Sequence, residues 1–155
     1  MAVPATVEER WLAAAAAVYG GLIAEHAVTE CDPFRNPIGH TLRTNLAVLT
    51  RQFFGAMDET AIDAAFGEIM ALRSIQDLSV ERAIAFVFTL RGIAREEAPQ
   101  MEAAEAEARV DRLALSAFAQ YLACRERLAG LRLNEQLRAI GVARRRVAHS
   151  RGAGT

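Results

Sequence analysis

QMEAAEAEARVDRLALSAFAQYLACRERLAGLRLNEQLRAI, residues 100–140, is the stretch whose reading decides the fold. It holds no proline and a single glycine, Gly130, before Gly141 follows it. At 1.5 Å per residue a continuous helix over it is about 60 Å long. A chain of 155 residues folds to a body with a radius of gyration of only ~15 Å. Part of this helix must therefore project, pair with another copy, or break. Ala117, Tyr121, Cys124, Leu128 and Leu131 recur at 4-3-4-3 spacing, a heptad seam two repeats long that is expected to pack partly against its own domain. Leu133, Leu137 and Ile140, spaced 4-3, add a further stripe. Together with Leu128 and Leu131 they are the candidate face for a protein partner or a homodimer. The opposing expectation is that Gly130 ends the helix and the stripe folds back as a short sixth helix.

Toward the N-terminus the helix signals are local and repeated. Pro99 separates the long stretch from a helix capped by Ser79. That helix, through Ala83, Ile84, Phe86, Val87, Phe88, Leu90 and Ile93, is apolar nearly all round, which predicts a central element covered by its neighbours. Asp58 opens another, with Ile62, Ala65, Phe66, Ile69 and Leu72 on one face. Asn36-Pro37 joins an N-cap to a proline at the first helical position, and the stripe Ile38, Leu42, Leu46, Leu49, Phe53 runs from there to Gly55. The first helix opens on a Thr6–Glu9 capping box and carries Trp11, Ala15, Val18 and Leu22 toward an end near Thr29, before the Asp32-Pro33 turn. Gly20-Gly21 interrupts it; each glycine costs ~1 kcal/mol relative to Ala, so the pair marks a kink or a close approach by another helix. No segment alternates long enough for a strand. The expectation is an all-α bundle of about five helices over residues 1–140, followed by a basic, flexible tail over 141–155.

Composition narrows the function. With 52% hydrophobic and 24% charged residues the chain is globular. All 18 basic residues are arginine, which excludes lysine Schiff-base chemistry. A net charge of −1 supplies no general attraction for nucleic acid or an acidic membrane. The uncharged run Trp11–Ala24 is 14 residues long, short of the ~20 that cross a bilayer, so a cytoplasmic protein that does not span a membrane is expected. Cys31 and Cys124 form neither a zinc motif nor a disulfide framework. No metalloprotease, nucleophile-elbow, phosphate-loop or dinucleotide signature occurs, and no catalytic or metal residues are expected. His26 and His40 are the only candidates for haem or tetrapyrrole, and His149 lies in the basic tail; no resident cofactor is expected.

Two polar stretches interrupt the apolar pattern. Arg73, Gln76 and Asp77 lie between two helices, while Arg109, Asp111 and Arg112 share the long helix with Val110, Leu113 and Leu115. Arg73 can meet Asp77 as an i,i+4 pair or reach Asp111 on another helix. Buried ions are expensive unless paired, so the group is either a network fixing helix register or a ligand-responsive polar switch.

Six strings carry a resemblance. They are Asp32-Pro33-Phe34-Arg35-Asn36-Pro37-Ile38-Gly39, Arg73-Ser74-Ile75-Gln76-Asp77-Leu78-Ser79, Ala83-Ile84-Ala85-Phe86-Val87-Phe88, Arg109-Val110-Asp111-Arg112-Leu113-Ala114-Leu115, Tyr121-Leu122-Ala123-Cys124-Arg125-Glu126 and Arg132-Leu133-Asn134-Glu135. In this order, from about residue 32 to 138, the chain resembles the RsbRD N-terminal domain family, the RsbT co-antagonist input domains. The resemblance implies a helical, globin-related sensory fold, usually without haem, in signal transduction. The resemblance implies relatives that often precede a STAS domain controlling a switch kinase of the stressosome; with the sequence read to Thr155 and no STAS domain in it, kinase antagonism itself is not expected to carry over. The expected function is a non-catalytic sensory or adaptor module signalling through its long helix. A haem- or tetrapyrrole-binding globin-like sensor, or an accessory subunit of a larger redox or photosynthetic assembly, is the alternative.

Overall fold

A computed structural model of the chain describes residues 5–153. Those residues form six α-helices and one 3₁₀ turn, with no strand among them. The helices are α1 (Ala5–Ala16), α2 (Gly21–Thr29), α3 (Pro37–Phe53), α4 (Glu59–Ile75), α5 (Val80–Glu97) and α6 (Ala103–Gly152). Three start where the sequence predicts, because capping is chemistry between near neighbours. The Asn36 carboxamide oxygen accepts from the Gly39 N–H at 2.8 Å, Asp58 accepts from the Thr60 and Ala61 N–H groups, and Ser79 accepts from that of Arg82.

The first helix departs from expectation at both ends. It breaks rather than bends: a 3₁₀ turn spans Ala17–Tyr19, and Gly20 and Gly21 take φ values of +68° and +48°, which only glycine adopts readily. A Cβ on either would meet nothing within 4 Å, so no neighbouring helix demands the pair, and the five expected helices become six. Thr6 does not cap. It lies inside α1, and its hydroxyl donates to Glu97 at 2.7 Å, where Arg10 also donates at 2.9 Å. The capping-box rule looks only a turn ahead, whereas Glu97 arrives from the far end of α5.

Five helices surround the core, each packed on two neighbours in the order α1, α3, α4, α6, α5 and back to α1. α2 lies outside, against α1 and α3. Trp11, Leu46, Phe53, Phe66, Met70, Phe86, Leu90 and Leu113 fill the interior. The Trp11 indole donates to the Phe86 carbonyl at 2.8 Å, so the largest core side chain leaves no polar atom unpaired. On α5, Phe86, Val87 and Leu90 are buried as expected, but the helix is not covered all round. Phe88 is 42% exposed, beside exposed Ala85 and Thr89, because α1 and α6 shield one side and α4 scarcely touches the helix.

α6 ends neither at Gly130 nor at Gly141. Its 50 residues make a rod about 75 Å long, and residues 141–152, expected as a tail, are its last turns. Ala117, Tyr121 and Cys124 are buried against the body and Leu128 is half-buried; residues 131–140 are all exposed. Beyond Leu128 roughly 36 Å of helix extends past the body. No helix among the described residues is long and apolar enough to cross a membrane.

Candidate functional site

Arg73, in the last turn of α4, has no accessible surface, yet neither predicted carboxylate partner reaches it. Its Nη1 donates to the Ala83 carbonyl at 2.8 Å and more weakly to that of Arg82 at 3.4 Å, while Nη2 donates to the Ala15 carbonyl at 2.6 Å. The guanidinium carbon stands 4.6 Å from the Phe86 ring centroid and 5.7 Å from that of Tyr19. Carbonyl dipoles and π-faces thus replace the anion that a buried cation usually requires. Burial pulls the Arg73 pKa down and raises that of Tyr19, each effect opposed by the other group. The guanidinium remains charged at neutral pH because its ordinary value lies so far above it. Arg73 Nε is buried without a hydrogen bond, and the buried Tyr19 hydroxyl sits beside the guanidinium without completing one. Arg73 therefore joins the ends of α1, α4 and α5 through an incompletely satisfied polar contact.

Gln76 and Asp77 are exposed, so they do not share the Arg73 site. Asp77, at φ +55°, pairs with Arg125 of α6. The hydrogen bond from Arg125 holds the Asp77 carboxyl below the usual carboxylate range. A depressed carboxylate pKa means that the tie strengthens the fold above the ordinary carboxylate range and is lost as pH falls through the folded value. One turn earlier on α6, the Tyr121 hydroxyl donates to the Leu78 carbonyl, so two successive turns of α6 hold the α4–α5 connection.

Arg109, Asp111 and Arg112 also stand apart from Arg73. Arg109 donates to the carbonyls of Phe53 at 2.9 Å and Gly55 at 2.8 Å and pairs with Glu105. Arg112 pairs with Glu59 at 3.0 Å, and Asp111 with Arg91 of α5. The six predicted switch residues are thus one buried hub, one exposed residue and a line of ties along α6, not a single pocket.

His26 and His40 are both exposed. His26 Nε2 lies 3.3 Å from the Arg35 carbonyl, on an open apolar surface of α2 shared with Leu22 and Ile23. Asn36 does more than the sequence reading assigned to it. Its Nδ2 donates to the carbonyls of His26, Ala27 and Glu30 at 2.8–3.2 Å, so one side chain closes the end of α2 and opens α3. Gly39 permits this, since a Cβ there would lie 2.0 Å from Asn36 Nδ2.

The five candidate partner residues divide between two sides of α6. A two-residue step turns a helix by about 200°, so Leu133 lies across the rod from Leu131. Leu128 and Leu131 prolong the body-facing side of Ala117, Tyr121 and Cys124. Leu133, Leu137 and Ile140 instead continue an outward side that begins beside the body with Leu115, Phe118 and Leu122 and runs on to Val147. All seven of these outward side chains are exposed, Leu137 by 57%. Single exposed apolar residues are ordinary; these seven share one side of the helix, interrupted by Glu126, Ala129 and Arg144.

A family model described as the RsbT co-antagonist protein rsbRD N-terminal domain matches residues 5–136. No curated protein and no solved structure matches the chain.

Proposed function

The chain belongs to the RsbT co-antagonist protein rsbRD N-terminal domain family, a family of regulatory, stressosome-type input domains, and on that premise we propose that it is a non-catalytic, cytoplasmic sensory or adaptor module whose output element is α6. One observation carries this reading. The same helix forms a wall of the core between α4 and α5 and then extends beyond the body with an exposed apolar row. A ligand or partner that repacks the body has to move α6, because Arg109, Arg112, Tyr121 and Arg125 fasten it to the α3–α4 connection, to α4 and to the α4–α5 connection. Shifts of about 1–2 Å suffice for helix-borne switching at an interface. Arg73 is the natural pivot, since the ends of α1, α4 and α5 share its guanidinium and small movements redistribute its bonds.

The test compares the full chain with one ending at Leu131. Removing the exposed arm is expected to leave the melting transition of the body in place and to abolish association, read by solution mass and by affinity capture. Association that is undiminished without the arm would overturn the role given to α6.

A further inference from the structure

Starting from Leu122 and Leu133, the outward row of α6 has the same spacing in both directions. Down the helix the steps are 4, 3, 4 and 3, through Phe118, Leu115 and Asp111 to Ala108; up the helix they are 4, 3, 4 and 3, through Leu137, Ile140 and Arg144 to Val147. Every one of these positions is exposed. From Asp111 to Val147, by way of Glu126 and Ala129, the mean step is about 3.6 residues, the period of a straight helix, so this part of the row does not wind around the rod.

We infer that α6 pairs antiparallel with α6 of a second copy along this outward row, with the two-fold axis passing between Arg127 and Leu128. The inference rests on the reading of α6 as the interaction element and names its partner. In this register Leu133 faces Leu122, Leu137 faces Phe118, Ile140 faces Leu115, Val147 faces Ala108, and Arg144 faces Asp111. The arm of each copy then covers the outward side of the other's α6 beside its body, so the whole apolar row is buried by its own mirror. The two bodies lie on opposite sides of the helix pair, each against the inward face of its own α6.

Charge selects this direction over the parallel one. In a parallel, in-register pair Asp111, Glu126 and Arg144 would each meet their own copy across the seam, and like charges directly opposed are destabilising. Residues 132–152, with six arginines against Glu135 alone, would also lie beside themselves. Turned antiparallel, that basic arm lies along a stretch whose three acids, Glu105, Glu107 and Asp111, outnumber its two arginines, Arg109 and Arg112; Arg144 meets Asp111 (already paired with Arg91 of its own body), and Glu126 meets Ala129. A closed two-fold contact of this kind is self-limiting at two copies.

Cysteine cross-linking of the full chain tests the register. In a Cys31→Ser background, Ala108→Cys with Val147→Cys places two exposed thiols ~58 Å apart within one chain, too far for an internal disulfide. Mild oxidation is expected to convert the double variant into a covalent dimer while each single variant stays uncoupled. The parent should have the solution mass of a dimer, and Leu137→Asp should weaken association by about 100-fold without changing the helical spectrum. Cross-linking by Val147→Cys alone would establish a parallel pair, overturning the inference while leaving α6 an interaction element. A parent that stays monomeric, with the double variant uncoupled, overturns the inference also; loss of every arm-dependent association would take the functional reading with it.

Discussion

Replacing Asn36 separates two effects that one side chain combines. Asn36→Ala removes the cap on α3, worth about 1 kcal/mol. It also removes the amide donors to the end of α2; with two hydrogens these make at most two good bonds, about 1 kcal/mol each. The total is about 3 kcal/mol, or a fall in Tm of roughly 6–12 °C for a domain of this size. Asn36→Ser keeps the cap and should lose about 2 kcal/mol. Asn36→Asp is the decisive variant. Aspartate caps helices as well as asparagine does, yet here its second oxygen would face three carbonyl oxygens instead of donating to them. Its stability at neutral pH should fall at least as far as that of the Ser variant. The deficit should shrink on acidification, because the protonated acid regains a donor. Urea unfolding followed by circular dichroism and by the fluorescence of Trp11 measures all three variants. An Asp variant as stable as the parent at neutral pH would refute the claim that Asn36 joins α2 to α3.

Gly39→Ala should destabilise by ~1–3 kcal/mol in urea unfolding, the reverse of the ~1 kcal/mol gain usual in a helix, because the new Cβ would lie 2.3 Å from the Ala27 carbonyl. Phe86→Ala should cost ~3–5 kcal/mol and shift the Trp11 emission to the red, since Phe86 packs on Trp11 at 5.8 Å and under the Arg73 guanidinium; a parent-like melt would remove Phe86 from the core. Asp77→Asn should lower Tm slightly at neutral pH, and the difference from the parent should vanish as pH falls through the folded carboxylate pKa. A gap that persists in acid would separate Asp77 from its tie to Arg125.

What the sequence made legible was governed by neighbours. Asn36, Asp58 and Ser79 announce helix starts because the N–H groups they cap lie two or three residues on. Gly20-Gly21 announced an interruption but not its kind, which depended on whether a neighbour stood close. The partners of Arg73 were illegible for a different reason: they are backbone carbonyls, which every residue possesses and no side chain advertises. Pairing by charge led to Asp77 and Asp111, whereas Arg125 and Arg91 claim those two carboxylates. The heptad template found the body-facing side of α6, because Ala117 through Leu131 keeps the 3.5 period. It missed the outward side, where the steps Leu122–Glu126 and Leu133–Leu137 hold the row to the straight-helix period, so Leu115, Phe118 and Leu122 were not joined to Leu133.

The order of the helices around the core bears on how the chain is made. α4 and α5 are consecutive, yet α6 occupies the place between them. A nascent chain that has emerged as far as Glu97 therefore holds most of its core residues with one wall missing, the one to which α6 contributes buried Val110, Leu113 and Ala117. At about 5–20 residues per second, the stretch from there to Leu128 takes ~2–6 s to synthesise. Through that interval the body is an open, apolar cleft, a target for chaperones and a hazard for aggregation. The element proposed to meet partners is also the last to arrive, so a chain cut short before Leu128 lacks both a wall of its core and that arm.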